Sequence, residues 1–341
     1  AINPVDFEFT MEMAGVQVVL PSQLPNTLQA LADGTGEAFD ALSSASAGVV
    51  VLGEIAETHP QASRIRAAAH ALCQATGARL DRIPVGANAV GLARHGVLPT
   101  GLDAQAMLVA PRKAYVLYGA EPPHDFADGA LASRALAAAK VVAFSAYAPA
   151  FLRDVADVIL PIGLLPEIDA TLTNLEGNDQ VARAGGKLPG EARPGWRVLR
   201  ALGGELGLAG FEFADLAGLR ATLAPAAVSC GSGMAAPAAA GEGLERSTTV
   251  PIYRGDAVLR RSAALNSHPL THPARVVLHP EDALALGLGA GTIAKVGDGR
   301  GTASLPVATS TAVPRGGAWV ESCHDATAPM APAGHLTITR A

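Results

Sequence analysis

Four apolar runs constrain this chain more than any other feature: AGVVVLG (47–53), KAYVLYG (113–119), KVVAFSAY (140–147) and DVILP (157–161). None alternates polar with apolar residues, and three stop at a Gly or Pro. Such continuous runs are strands buried on both faces, the habit of parallel sheets. Helical segments separate them. QASRIRAAAHALCQATG (61–77) carries Ile65, Ala69, Leu72 and Cys73 on one stripe and ends at Gly77, a helix stop. Residues 126–139 and 149–156 supply two more helices, residues 22–43 two short ones, and 195–207 and 214–223 a further pair. Residues 78–103 are rich in Gly and Pro and read as loop. Strands separated by helices of this length predict βαβ crossovers, so the fold class is α/β with a mostly parallel, helix-flanked sheet over 1–224.

The pattern changes after that. Residues 225–248 are small and nearly free of large apolar groups, as a flexible linker is. From 249 to 341 the segments VPIYRGDAVLRRS, ARVVLHP, TIAKVGD, GTASLPVATS and GAWVESC read as β, interrupted by one helix over 281–289. This predicts a small β-barrel domain.

A net charge of −6 with no Lys/Arg cluster excludes nucleic acid as a partner. No apolar run reaches the roughly 18 residues of a membrane span, which excludes direct membrane insertion. Three widely spaced cysteines (Cys73, Cys230, Cys323) suit a reducing, cytoplasmic setting.

The stretch after the fourth strand, 162–195, has neither helical nor alternating periodicity and is broken by Gly163, Pro166, Gly177, Gly185, Gly186 and Pro189. Loops this long in compact domains are functional or disordered, and Leu164, Leu165, Ile168, Leu172 and Leu175 give it enough to bury to be ordered. It is expected to lie at the carboxyl end of the sheet, where α/β folds keep their sites. Asn174 and Glu176 are expected to hold it by bonding its backbone groups.

Within it, EIDATLTNLEGNDQ (167–180) resembles the signature of the molybdopterin oxidoreductase superfamily, matching at Glu167, Thr171, Asn174, Glu176, Gly177 and Gln180. Ala170 stands where that pattern has Gly, and Asn178 where it has Arg. Asn lacks the guanidinium fork that suits phosphate. PGEARPGWRVL (189–199) is closer to one branch, the family of the large iron–sulphur subunit of bacterial NADH:quinone oxidoreductase (complex I). HPEDALALGLGAGTIAKVGDGRGTASLPV (279–307) resembles the C-terminal dinucleotide-binding barrel of the superfamily.

The resemblance implies a C-terminal scaffold region of that large iron–sulphur subunit, in the electron-input arm of the respiratory chain, not catalytic alone. It implies no cofactor in this region; iron–sulphur clusters belong to a preceding N-terminal part, since the close-spaced cysteines they need are missing here. The implied partners are other subunits of the complex I peripheral arm, on the cytoplasmic face of the inner membrane. The alternative is a fragment of an active molybdopterin enzyme of the formate dehydrogenase or nitrate reductase type. A free-standing dinucleotide-dependent oxidoreductase is disfavoured by the lack of a G-x-G-x-x-G fingerprint.

The resemblance leaves vestigial cofactor-binding candidates at strand ends and in the central stretch: Gly53, Glu54, Gly119, Glu121, Glu167, Thr171, Asn174, Glu176 and Gly177. No catalytic residue is assigned. His268 and His272 are four apart, but the proline after each keeps them out of a helix, so no metal pair is expected. Cys323-His324-Asp325 lacks the cationic surroundings that hold a thiolate.

Overall fold

The computed structural model describes residues 1–34, 36–226, 234–236 and 241–341. The chain divides into two compact units, one built from Ala1–Pro84, Pro122–Ala130 and Ser232–Ala341, the other from Val85–Glu121 and Leu131–Gly231. No described helix is long and apolar enough to cross a membrane.

In the first unit, strand Val49–Leu52 pairs in parallel with Arg79–Arg82, from Val49 opposite Arg79 to Leu52 opposite Arg82. Helix Ala62–Thr76 makes the crossover and ends at Gly77, whose φ of 77° places it in the left-handed region favoured by glycine. Leu52, Ile65, Ala69 and Leu24 form the core between them. Residues 78–103 are therefore not all loop: they hold this strand and a helix at Ala89–Arg94. Three of the four residues in Arg79–Arg82 are charged and exposed, so it carries no apolar run to reveal it.

The same unit contains a closed six-stranded barrel, ordered Leu244–Ser247, Gly317–Trp319, Val276–Leu278, Thr302–Thr309, Ile293–Gly297 and His335–Arg340, with the last pairing back to the first. Val276, Leu278, Ala294, Val296, Leu305, Val307, Leu336 and Ile338 recur at every second position and fill its interior. Two differences from the sequence expectation stand out. The first barrel strand, Leu244–Ser247, lies inside the expected linker 225–248; residues 227–233 and 237–240 of that segment lie outside the described residues. Its Glu245 and Arg246 look like solvent residues but are buried. Glu245 accepts from the Ser22 N–H (2.5 Å) and hydroxyl (2.8 Å), and Arg246 donates to the carbonyls of Ala331 (2.6 Å) and Val320 (3.3 Å). Burial lowers the Arg246 guanidinium to about 10. VPIYRGDAVLRRS is not a strand: Asp256 caps a helix at Ala257–Arg261 by accepting from the Val258 and Leu259 amides.

Residues 122–130 join this unit through ion pairs, Asp125 with Arg260 (3.0 Å) and Asp128 with Arg300 (2.8 Å).

The second unit carries a three-stranded parallel sheet of Ala114–Tyr118, Lys140–Ser145 and Val158–Pro161, with Val116, Val142 and Val158 side by side. Helical residues Ala132, Ala135, Leu136 and Leu152 are buried, as are Tyr115, Leu117, Val141, Ala143 and Phe144 of the strands. The four apolar runs are all strands, yet they divide three to one between two sheets. They are not all buried on both faces as expected: Val49, Val51, Val116, Tyr118 and Val158 are exposed, and only the central strand Lys140–Ser145 is buried along most of its length. A continuous apolar run marks a strand without naming its neighbour or what covers its second face. The stretch after Pro161 is not free of ladders either. Ala170–Thr173 and Asp179–Ala182 form an antiparallel hairpin, Thr173 opposite Asp179.

Candidate functional site

The hairpin turn is built from short polar side chains around one left-handed glycine. Gly177 has φ 81° and donates its N–H to the Asn174 carbonyl at 3.0 Å. The Asn174 side chain accepts from the Asn178 amide at 2.9 Å, whereas Glu176 reaches only the Asn178 side chain, at 3.1 Å in solvent. Asn174 thus holds backbone, as expected, and Glu176 does not. Asn174→Ala is expected to destabilise the second unit by about 1 kcal/mol and Glu176→Ala by under about 0.5 kcal/mol; equal losses in chemical denaturation would contradict the assignment.

Deeper support comes from residues 85 positions away. Asn88 accepts from the Thr173 amide at 2.8 Å, and Arg94 donates to Asp179 (3.1 Å) and to the Gly177 carbonyl (2.5 Å). The Thr173 hydroxyl donates to Asp179 at 2.7 Å. At Gly91 a Cβ would crowd the Thr173 hydroxyl and meet the Asn88 side chain, so the helix and strand approach only because this residue is glycine.

At the carboxyl end of the three-stranded sheet is an open cleft of about 350 Å³, lined by Tyr147, Pro161, Leu164, Glu167, Glu191 and Ala192 among others. The Leu164 amide donates to Glu167 at 2.8 Å, capping the turn at Leu165–Glu167. Glu191 is largely exposed, 3.7 Å from Arg193. Gly163 N–H donates to the Arg193 carbonyl (3.0 Å), and Arg193 N–H to Pro161 (3.3 Å), so the stretch is tied back to the strand end.

The other candidates sit elsewhere. Gly119 ends strand Ala114–Tyr118 with φ 64° and donates to the Phe144 carbonyl at 2.8 Å; Glu121, two residues on, is buried. Gly53 and Glu54 belong to the first unit. Gly53 has φ −92°, which any residue adopts, and burial raises the half-buried Glu54 carboxyl above its usual range. Thr171 lies in the hairpin opposite Val181. Cys323 is buried and its thiol donates to the His124 carbonyl at 3.6 Å; burial pushes it up, away from the thiolate. No group of three or more metal-ligating side chains occurs among the described residues.

A pterin cofactor with its phosphate does not fit the second unit's candidates. The signature's Arg position is Asn178, engaged with Glu176. The guanidinium that does reach the turn, Arg94, is spent on Asp179 and Gly177. The cleft is lined by the carboxylates Glu167 and Glu191, and the one guanidinium at its edge among the described residues, Arg193, is engaged with the Ala192 carbonyl at 2.8 Å and stands 3.7 Å from Glu191. Asn88 and Arg94 escaped sequence reasoning because their partners are 83 to 85 positions away, whereas Asp179 also has the Thr173 hydroxyl six positions away; Asn174 and Asn178 on either side of Gly177 were the local hint of a turn.

The family model described as molybdopterin oxidoreductase matches residues 17–205, more than half of the chain. Over 66 residues the chain is 41% identical to the mitochondrial NADH-ubiquinone oxidoreductase 78 kDa subunit of Neurospora crassa, covering 19% of this chain and 9% of that protein. Among solved structures it is similar to the acetylene hydratase from Pelobacter acetylenicus, with a TM-score of 0.47 and 17% identity over 64% of this chain and 39% of that one. It therefore spans well under two thirds of both proteins. This chain belongs to the molybdopterin oxidoreductase family.

Proposed function

We propose that this chain is a scaffold region of an NADH:quinone oxidoreductase, corresponding to the C-terminal part of the large iron–sulphur subunit in the electron-input arm of complex I. It keeps the family's fold without a cofactor of its own and packs against neighbouring subunits on the cytoplasmic face of the membrane. The observation that carries this is that the polar groups of the signature region are engaged with one another: Asn178 bonded to Glu176, Arg94 committed to the hairpin, and Arg193 at the cleft held by the Ala192 carbonyl beside Glu191. The 66-residue similarity to the 78 kDa subunit supports the placement in complex I. An active enzyme of the formate dehydrogenase or nitrate reductase type needs cationic or amide groups facing the cofactor's phosphate, and those present at the turn and the cleft, Arg94, Asn178 and Arg193, are bonded to groups of the chain itself.

Inorganic pyrophosphate is a direct probe of that difference. A site with a Kd a hundredfold below the added concentration would stabilise the chain by about 2.7 kcal/mol. The expected result is a thermal unfolding midpoint unchanged by millimolar-range pyrophosphate; a rise of several degrees would overturn the scaffold role.

A further inference from the structure

The PGEARPGWRVL motif runs into helix Gly195–Glu205, and the far end of this helix is apolar, acidic and uncovered. Leu206 and Leu208 are 62% and 51% exposed. The helix closes with Leu206 N–H on the Leu202 carbonyl, Gly207 on Gly204 and Leu208 on Gly203. Gly207, at φ 63°, and Gly210, at φ 92°, then turn the chain back. Phe211 lies so close over Gly203 that a Cβ there would enter its ring. Between helix end and returning chain is a cleft of about 410 Å³ lined by Gly204, Gly207, Leu208, Ala209, Phe211 and Glu212.

Among the described residues, Glu212 is the one charged side chain lining it. The Gly210 N–H donates to both Glu212 oxygens, at 3.1 and 2.9 Å, which fixes the carboxylate at the cleft. Glu205 and Glu212 are exposed, and among the described residues neither joins an ion pair. The helix's two arginines are held by other groups, Arg200 donating to the Phe213 carbonyl and Arg197 lying 5.2 Å over the Trp196 ring, and neither pairs with Glu205 or Glu212 among the described residues. The carboxyl end of a helix adds partial negative charge at the same place.

We propose that this cleft is a protein-docking site that takes a basic residue flanked by an apolar one, from a segment of a neighbouring protein. A lysine or arginine carries an apolar stem and a charged head. The stem packs on Leu208 and Phe211, the head reaches Glu212 and Glu205, and the apolar neighbour covers Leu206. Charge complementarity selects this occupant and rejects an acidic one. The site is independent of whether the chain holds a cofactor, so this proposal and the scaffold role can fail separately.

Leucine-methyl NMR of the whole chain tests it, with acetyl-Leu-Arg-Leu-amide and acetyl-Leu-Glu-Leu-amide as probes. The arginine peptide is expected to shift the Leu206 and Leu208 methyls and to bind at least about tenfold tighter than the glutamate peptide. In the Glu205→Gln/Glu212→Gln variant that preference is expected to fall to about twofold or less. Equal binding of the two peptides to the unaltered chain, a preference that survives the double substitution, or shifts confined to other methyls would each overturn the proposal.

Discussion

Phe144→Ala is expected to destabilise the second unit by about 4 kcal/mol, the usual loss for a fully buried phenylalanine. Phe144 is wholly inaccessible and sits in the central strand, in register between Tyr118 and Leu160. Its ring centroid is 5.7 Å from that of Tyr118. The Tyr118 phenol in turn fits against Gly195, where a Cβ would strike its oxygen, so the start of helix Gly195–Glu205 rests on the same packing. Removing the ring leaves a void at the carboxyl half of the sheet, beneath the strand ends that form the cleft. The chain has two tryptophans, Trp196 in this unit and Trp319 in the barrel. In a Trp319→Phe background, denaturation followed by Trp196 fluorescence reads the second unit alone. A loss below about 1 kcal/mol would mean that the site collapses around the void, against a rigid central strand.

Gly243→Ala is expected to cost the barrel about 3 kcal/mol, through left-handed backbone strain and a steric clash. Gly243 has φ 99°, and a Cβ on it would run into the backbone carbonyl of Leu336. That carbonyl belongs to the strand that closes the barrel against Leu244–Ser247, so it cannot swing aside as a side chain would. Gly287 is the control. Its φ is 67° but nothing lies within 4 Å of the added Cβ, so Gly287→Ala is expected to cost only about 1 kcal/mol. Unfolding followed by Trp319 separates the two, and similar losses would show that the contact with Leu336 contributes nothing.

Much of this fold was legible because apolar strands and amphipathic helices write themselves in local pattern, although the runs did not show that Val49, Val51, Val116 and Val158 are exposed. All four apolar runs are strands, and the helix ending at Gly77 stops there. What was hidden was partnership. Nothing in VVVL says that it pairs with RLDR, which offers one apolar side chain, Leu80, to the core and is further tied down by Arg82 donating twice to Glu57 at 2.7 Å. The strand LERS was hidden for another reason: its charges are buried and answered by Ser22, Ala331 and Val320, all at least 74 positions away. His335–Arg340 does alternate and could have been found. At the candidate site, the motif located the hairpin and its turn glycine, while the groups that hold it, Asn88 and Arg94, lie in a stretch whose glycines and prolines read as loop. Position 178 is the instructive case. The sequence showed a missing arginine; only the structure shows a second arginine reaching the same turn and being consumed by Asp179 and Gly177.

The central claim, that this chain keeps a molybdopterin oxidoreductase fold without the cofactor, is tested most directly by the metal and pterin content of the chain purified from a molybdenum-replete host. The expected result is molybdenum and tungsten far below one atom per chain, with no pterin fluorescence released on denaturation. Either metal near one atom per chain, together with a stoichiometric pterin, would contradict the claim and make this region part of a working enzyme.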